Sequence, residues 1–379
     1  MEIVFLSNFY NHHQMYLSRS LWKLLHGQYT FIATTPMDEE RRKLGYQEIE
    51  EPFLLPFEEN PVICMERIRR ADVVIFGSAP RKLIQERLKK GKLVFQYSER
   101  IFKKKPPFYE MPARAVKYYL EKGRYPNLYL LCASGFAAAD YAKTYTFLNR
   151  SYQWGYFPET KHYPIQNLLS QKDKQRILWV GRLLDWKHPD DAITVAKRLK
   201  EAGYDFYMDI AGSGEMEDQL KTMVQTGGLN DCVTFLGAVP SNEVRELMEK
   251  AAIYLFTSDR YEGWGAVLNE SMNSGCAVVA SHAIGAVPYL MKHGENGLIY
   301  HSGDIDDLYN NVRYLLDHPE AQVRLGSAAY ETIVNEWNAD VAAQRLVSLS
   351  EQLLAGEKTP DLYARGICSP AEVIRDDWF

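Results

Sequence analysis

From about residue 176 onward, short apolar runs alternate with amphipathic stretches of helical period, and this alternation constrains the fold more than any other feature of the chain. Buried strands separated by covering helices can share a core when the strands run parallel, with helices packed on the sheet. Strand candidates are residues 177–180, 206–210, 233–236, 253–256, 277–280 and 298–300. Helices are expected to start near Pro189, Glu215, Asn242, Ala266 and Ile305, with Gly203 and Gly275 standing where helices stop. The first half repeats the theme less cleanly, with strands expected at 3–6, 29–33, 73–76, 93–97 and 129–132 and helices at 16–25 and 82–90. The expected fold class is therefore α/β, with two Rossmann-like, doubly wound parallel-sheet domains. The join is expected within 155–174, which holds Pro158 and Pro164 but no regular period. This divides the chain into 1–160, 161–345 and a helical tail, 346–379, expected to pack back toward the first domain.

Several classes of protein are disfavoured by composition. The start of the chain lacks a basic segment ahead of its apolar run Ile3-Val4-Phe5-Leu6, and no apolar stretch approaches the roughly 18 residues of a membrane span. The five cysteines (Cys64, Cys132, Cys232, Cys276 and Cys368) are scattered without a Cys-x-x-Cys spacing, so reduced thiols and a cytoplasmic location are expected and a zinc site is not. Charge is uneven along the chain: residues 1–165 carry 25 Lys/Arg against 17 Asp/Glu, and residues 166–379 carry 19 against 32. Residues 81–122 concentrate the excess, with 13 basic against 4 acidic groups interleaved with Phe102, Phe108, Tyr109, Tyr118 and Tyr119. That mixture suits peripheral contact with an anionic membrane or a lipid-phosphate acceptor, and a solvated basic face is the alternative. No recognition motif for nucleic acid accompanies the charge.

The densest chemistry lies in Glu262-Gly263-Trp264-Gly265-Ala266-Val267-Leu268-Asn269-Glu270. A Gly-x-Gly elbow entering a helix presents unpaired backbone N–H groups to an anion, and glycine admits close approach. Carboxylates on both sides would repel a bare phosphate but would grip hydroxyls at either end of a phosphate-centred ligand, so a nucleotide-sugar is the expected ligand. Upstream, Arg182 and Lys187 follow a strand end where open α/β sheets bind ligands, and they are suited to neutralise phosphates. Exposed loop cations are the alternative. Ala211-Gly212-Ser213-Gly214-Glu215 makes a second strand-to-helix turn, and Phe235-Leu236-Gly237 closes the next strand, where backbone groups could meet a base.

In this order, Gly181-Arg182-Leu183 with Lys187, Gly212-Ser213-Gly214, Phe235-Leu236-Gly237, the Glu262/Glu270 run, Ser274-Gly275 and Asn296-Gly297 resemble the C-terminal domain of retaining family-4 glycosyltransferases of the GT-B fold, over roughly residues 176–314. The resemblance implies two domains facing across a cleft and a sugar transfer from a nucleotide-sugar. It implies that Glu262 meets the donor sugar, Glu270 the ribose, and Arg182 and Lys187 the diphosphate. Gly181, Leu236, Gly237, Gly263, Trp264, Gly265, Ala266 and Val267 would complete the donor site, although Trp264 stands where phenylalanine is more usual. UDP is the expected carrier, with GDP as the alternative, and the acceptor is expected to be a saccharide or a lipid-linked saccharide, reached from the inner face of a membrane.

Departures from that pattern concern the acceptor. The loop after the first strand reads Ser7-Asn8-Phe9-Tyr10-Asn11-His12-His13 in place of a Gly-Gly pair, and Ser98-Glu99-Arg100 occupies the neighbourhood where relatives often carry a histidine. Asn8, His12, His13, Ser98, Glu99 and Arg100 are therefore the acceptor-side candidates, with a helix cap and an ion pair as their ordinary readings. No cofactor or metal is expected. The acidic run Asp304-Ile305-Asp306-Asp307 opens a helix and reads as a cap that complements the helix dipole. Rival functions are a sugar-nucleotide 2-epimerase, which needs no acceptor, and a non-catalytic nucleotide-sugar-binding protein. A dinucleotide dehydrogenase is disfavoured because no Gly-x-Gly-x-x-Gly follows the first strand.

Overall fold

A computed structural model describes residues 1–36 and 50–379. The chain divides into two units, Met1–Glu159 with Trp337–Asp376 and Thr160–Glu336 with Asp377–Phe379. Among the described residues the first unit holds seven strands: β1 (Ile3–Ser7), β2 (Tyr29–Ala33), β3 (Leu54–Pro56), β4 (Val73–Phe76), β5 (Val94–Ser98), β6 (Leu128–Cys132) and β7 (Ser151–Gln153). They form one sheet in the order β3-β2-β1-β4-β5-β6-β7, and every pair is parallel. Every residue of β1, β4 and β6 is buried, as expected where helices cover both faces of a parallel sheet.

The second unit repeats the design with β8 (Asp173–Val180), β9 (Tyr207–Ala211), β10 (Val233–Gly237), β11 (Ala251–Phe256), β12 (Ala277–Ser281) and β13 (Leu298–Tyr300). Its order is β10-β9-β8-β11-β12-β13, again parallel throughout. Ile177, Trp179, Ile210, Leu255 and Val279 contribute to its core, against helices Pro189–Glu201 and Ile305–Asp317. In each sheet the strand order reverses beside one strand, at β1/β4 and at β8/β11. Such reversals open a crevice at the carboxyl ends of the flanking strands.

The two doubly wound halves match the expectation, with differences of local origin. Strands β3 and β7 were not expected: each has three residues and lies at a sheet edge, too short to show either an apolar run or an alternation. β8 begins at Asp173, ahead of its apolar run, because Asp173 already pairs with Ala251 of β11. The helix expected from residue 16 starts at His12, because the Asn11 side chain accepts a hydrogen bond from the His13 N–H at 2.8 Å. The helix expected at 82–90 is a 3-10 turn, Arg81–Leu83, followed by a short helix, Gln85–Lys89. Within the expected join lies helix Ile165–Gln171, which buries only Leu169 and so shows no period.

At the C-terminal end of the chain, helix Ala339–Leu354 is capped by Asn338, whose side chain accepts from the Val341 N–H. It packs on helix His12–Leu24 in the first unit, where Ser20 Oγ donates to Asp340 Oδ1 at 2.6 Å. The expected acidic cap is present: Asp304 Oδ1 accepts from the Asp307 N–H at 2.9 Å. No helix among the described residues is long and apolar enough to cross a membrane.

Candidate functional site

The loops leaving β8 and β11, at the reversal of the second sheet, carry a short, half-buried ion pair at the predicted site. Lys187 Nζ lies 2.6 Å from Glu262 Oε2, with the two side chains 13% and 14% exposed. Both partners are fixed from behind. Trp179 Nε1 donates to Thr257 Oγ1 at 2.8 Å, and Thr257 Oγ1 donates to the Lys187 carbonyl at 2.7 Å. Ser258 Oγ donates to Glu262 Oε2 at 3.1 Å, so that oxygen faces a cation and a hydroxyl together. The Lys187 ammonium also stands 4.6 Å from the centre of the Trp186 ring. Arg182 is exposed on the same loop as Lys187.

The glycines have individual reasons. Gly212 has φ +149°, and a Cβ there would lie 1.8 Å from the Gly181 carbonyl oxygen. A Cβ on Gly214 would come within 2.5 Å of the Leu183 oxygen. Gly212 N–H donates to Gly237 O at 2.7 Å, and Leu183 N–H donates to Ser213 O at 2.9 Å. The turns after β8, β9 and β10 thus stack backbone on backbone, and this packing alone requires glycine at 212 and 214. Leu236 is partly exposed beside Gly237, while Ser213 is exposed.

Gly265 is the left-handed residue, φ +91°, from which helix Ala266–Asn273 begins, and a Cβ there would meet the Phe256 ring at 2.5 Å. Gly263 and Trp264 are buried, and Trp264 Nε1 donates to Asn269 Oδ1 at 2.9 Å, which makes the indole a core group. Any ligand contact at Trp264 would therefore come from its backbone, whose carbonyl accepts from Ala286 N–H at 3.1 Å. Ala266, Val267 and Glu270 are half-buried. The two glutamates converge electrostatically on Tyr254 of β11: burial first, then the neighbouring Glu270, the Cys276 thiol and Glu262 hold its phenol well above the usual range.

Near these loops, His188 Nε2 lies 3.5 Å from Asp259 Oδ2. His188, Asp190 and Asp191 offer ligand atoms within 4.8 Å of one another, a group that could hold a metal ion. Burial pushes the Asp191 carboxyl up to about 6. Asp190 and Asp191 occupy the first turn of helix Pro189–Glu201, where acidic groups complement the helix dipole without any ion.

Acceptor-side candidates in the first unit gather around a tyrosine that sequence reasoning passed over. Tyr156 Oη donates to Glu99 Oε1 at 2.6 Å, its ring stacks on Tyr97 at 5.9 Å, and the His13 ring lies 5.5 Å away. His12 and His13 are 4.0 Å apart, and burial holds His12 below its usual range. Glu99 also pairs with Lys103 at 3.2 Å, not with Arg100. Arg100 is instead an interior residue, 1% exposed and paired with Asp140 at 3.5 Å and Asp376 at 2.9 Å. Those ion pairs remove it from the cluster. Ser98 Oγ bonds the Tyr141 hydroxyl and the Glu99 carbonyl, and Asn8 accepts from Ser7 Oγ at 3.2 Å, so both serve local structure.

Thr257, Ser258 and Tyr254 were missed as well. The rule that singled out Gly181 and Arg182, polar residues following a buried strand, would have found Thr257 and Ser258. Nothing in the sequence marks Tyr156.

Comparison with known proteins places these features in context. Residues 164–332 match the family model for glycosyl transferases group 1. The chain is 32% identical over 204 residues to the amylovoran biosynthesis glycosyltransferase AmsK of Erwinia amylovora, covering 52% of this chain and 49% of that one. It is 28% identical over 195 residues to the D-inositol 3-phosphate glycosyltransferase of Corynebacterium aurimucosum, covering 50% and 45%. The chain spans about half the length of the curated relatives it matches. Among solved structures, Anabaena Alr3699/HepE in complex with UDP aligns with a TM-score of 0.70 at 16% identity, over 93% of this chain and 100% of that chain. That likeness shows the fold, the two-domain GT-B architecture of glycosyltransferases.

Proposed function

We propose that the protein is a retaining glycosyltransferase that moves a sugar from a nucleotide-sugar, with UDP as carrier, to a hydroxyl of a saccharide or lipid-linked saccharide during surface polysaccharide or glycoconjugate synthesis. The observation that carries this reading is the Lys187–Glu262 pair at the β8/β11 reversal, one cation and one carboxylate within a single short contact. A glycosyl diphosphate offers a partner to each: an anionic phosphate for the ammonium and sugar hydroxyls for the carboxylate. Donor binding therefore exchanges the internal ion pair for two ligand contacts. Ser258 keeps Glu262 oriented during that exchange.

The chemistry follows from charge. An acceptor oxygen bonds to the anomeric carbon as the bond from that carbon to the diphosphate oxygen breaks. The acceptor proton passes to a phosphate oxygen on the same face of the sugar, which retains configuration. Arg182, Lys187 and the N-terminus of helix Ala266–Asn273 offset the negative charge that grows on the leaving group. Glu270 binds the ribose. These cations serve the leaving group without a metal ion, and the acidic residues beside His188 serve the helix dipole. The group 1 match, the polysaccharide role in the name of the Erwinia relative and the UDP bound by the Anabaena structure support the reading.

A donor screen by thermal shift, followed by transfer assays in EDTA, tests it. UDP-sugars are expected to stabilise the protein, by about 2.7 kcal/mol at a hundred times the dissociation constant. Turnover is expected to persist in EDTA. Stabilisation by no nucleotide diphosphate would overturn the reading, and a new isomer formed from donor alone would replace it with epimerisation.

A further inference from the structure

Phe108–Glu110, Met111–Tyr118 and Tyr119–Gly123 form a continuous run of 3-10, α and π helix in the first unit, and none of its residues is buried. Its polarity is reversed relative to an ordinary surface helix. A charged side chain is turned toward the protein: Lys122 Nζ bonds the Tyr141 hydroxyl at 2.8 Å and stands 4.8 Å from the centre of that ring, while Arg114, 40% exposed, pairs with Glu110 at 2.7 Å and lies 5.8 Å from the Phe102 ring. The exposed stripe is apolar. Tyr109, Ala113, Val116 and Leu120 recur at spacings of three and four, one helical face, and Phe108, Tyr109 and Val116 are 86%, 70% and 60% exposed.

Water is a poor solvent for such a stripe, and a contiguous apolar patch rimmed by polar groups marks an interaction surface. The rim is cationic. Lys104, Lys105 and Lys117 are exposed around it. Beside it opens a cavity of about 540 Å³ lined in part by Phe102, Lys103, Lys104, Lys105, Glu110 and Arg114.

From this arrangement we propose that the 108–123 helix lies in the interface of an anionic phospholipid bilayer, with Tyr109, Val116 and Leu120 among the acyl chains and the lysines on the phosphates. Amphipathic helices that join an apolar face to Lys and Arg bind in this way, and lysine stems reach from apolar depth to charged headgroups. A second protein copy, acidic over residues 166–379, is the competing occupant, and size exclusion separates it from lipid. Glu99, on the acceptor side of the proposed function, precedes this helix by only nine residues of chain, so the surface would bring that side to a lipid-linked acceptor. The last step rests on the proposed function; the binding to lipid does not.

Sedimentation of the full chain with vesicles tests the proposal. The protein is expected to sediment with phosphatidylglycerol-containing vesicles at low salt, and pure phosphatidylcholine should hold it more than about tenfold less well, since each basic group near an anionic surface contributes roughly a fivefold factor. V116E/L120E should reduce binding by at least about tenfold, and K104E/K105E should do so for anionic vesicles only. Both variants should keep the UDP-induced thermal shift of the parent chain, which separates a failure here from a failure of the donor site. Wild-type protein that stays in the supernatant at low salt overturns the proposal whether or not the variants fold. So does V116E/L120E that binds like the parent, or that only converts an oligomer to a monomer on size exclusion.

Discussion

The loops after β8 and β11, which flank the reversal of the second sheet, and the loops after β1 and β5, beside the reversal of the first sheet and one strand beyond it, belong to two sheets of the same design, yet they are built from different chemistry. In the second unit the contacts are ionic and backbone-packed: Lys187 on Glu262, Gly212 on Gly181. In the first they are aromatic and tyrosine-centred: Tyr156 joins Glu99, Tyr97 and His13. The difference suits a division in which one unit holds a constant, multiply charged ligand and the other a neutral partner that varies. Phosphates reward fixed cations and N–H groups, whereas sugar rings reward aromatic faces and a carboxylate or phenol at the edge.

That division can be broken by experiment. The largest effect is expected from Glu262→Gln, which should lower transfer by at least about a hundredfold, the scale of a lost transition-state contact. UDP affinity should change by only a few-fold, and full turnover would remove Glu262 from the sugar. A loss of comparable size, roughly 3 kcal/mol in urea unfolding, is expected from Gly212→Ala, because the new Cβ would meet the Gly181 carbonyl at 1.8 Å. A neutral result would mean that the stacked turns can move apart to admit a methyl group.

Lys187→Ala should weaken UDP binding by about 1.5–3 kcal/mol in calorimetry, the usual worth of a charge-assisted contact. Unchanged affinity would leave the ammonium a purely internal partner of Glu262. The smallest effect is expected from Tyr156→Phe, which frees one Glu99 oxygen. It should raise the acceptor KM by about three- to tenfold while leaving UDP binding intact. An equal loss of UDP affinity would erase the distinction between the two units.

Much of the fold was legible because its signals are local. Val278 and Val279 in an apolar run, Pro189 at a helix start and Gly275 with φ +68° at a helix stop each act within a few residues. The helix start at Ala266, with Gly265 before it, was legible for the same reason. Relations across the chain were not legible. An ion pair of Glu99 with Arg100 or a nearby lysine was open to local reading, and Lys103 makes it, but the long-range contacts were hidden: Glu99 met Tyr156, while Arg100 turned inward to Asp140 and Asp376. The helix at 108–123 shows the same limit: its charge count was visible, but not which face would point outward.

By itself the sequence determined two parallel α/β halves, the glycine turns and the acidic and basic residues that end their strands, because apolar periodicity and backbone conformation are properties of short segments. Only the tertiary structure decided that Lys187 and Glu262, 75 residues apart, would meet at 2.6 Å. That contact depends on β8 and β11 becoming neighbours, and strand order is set by the packing of the whole sheet.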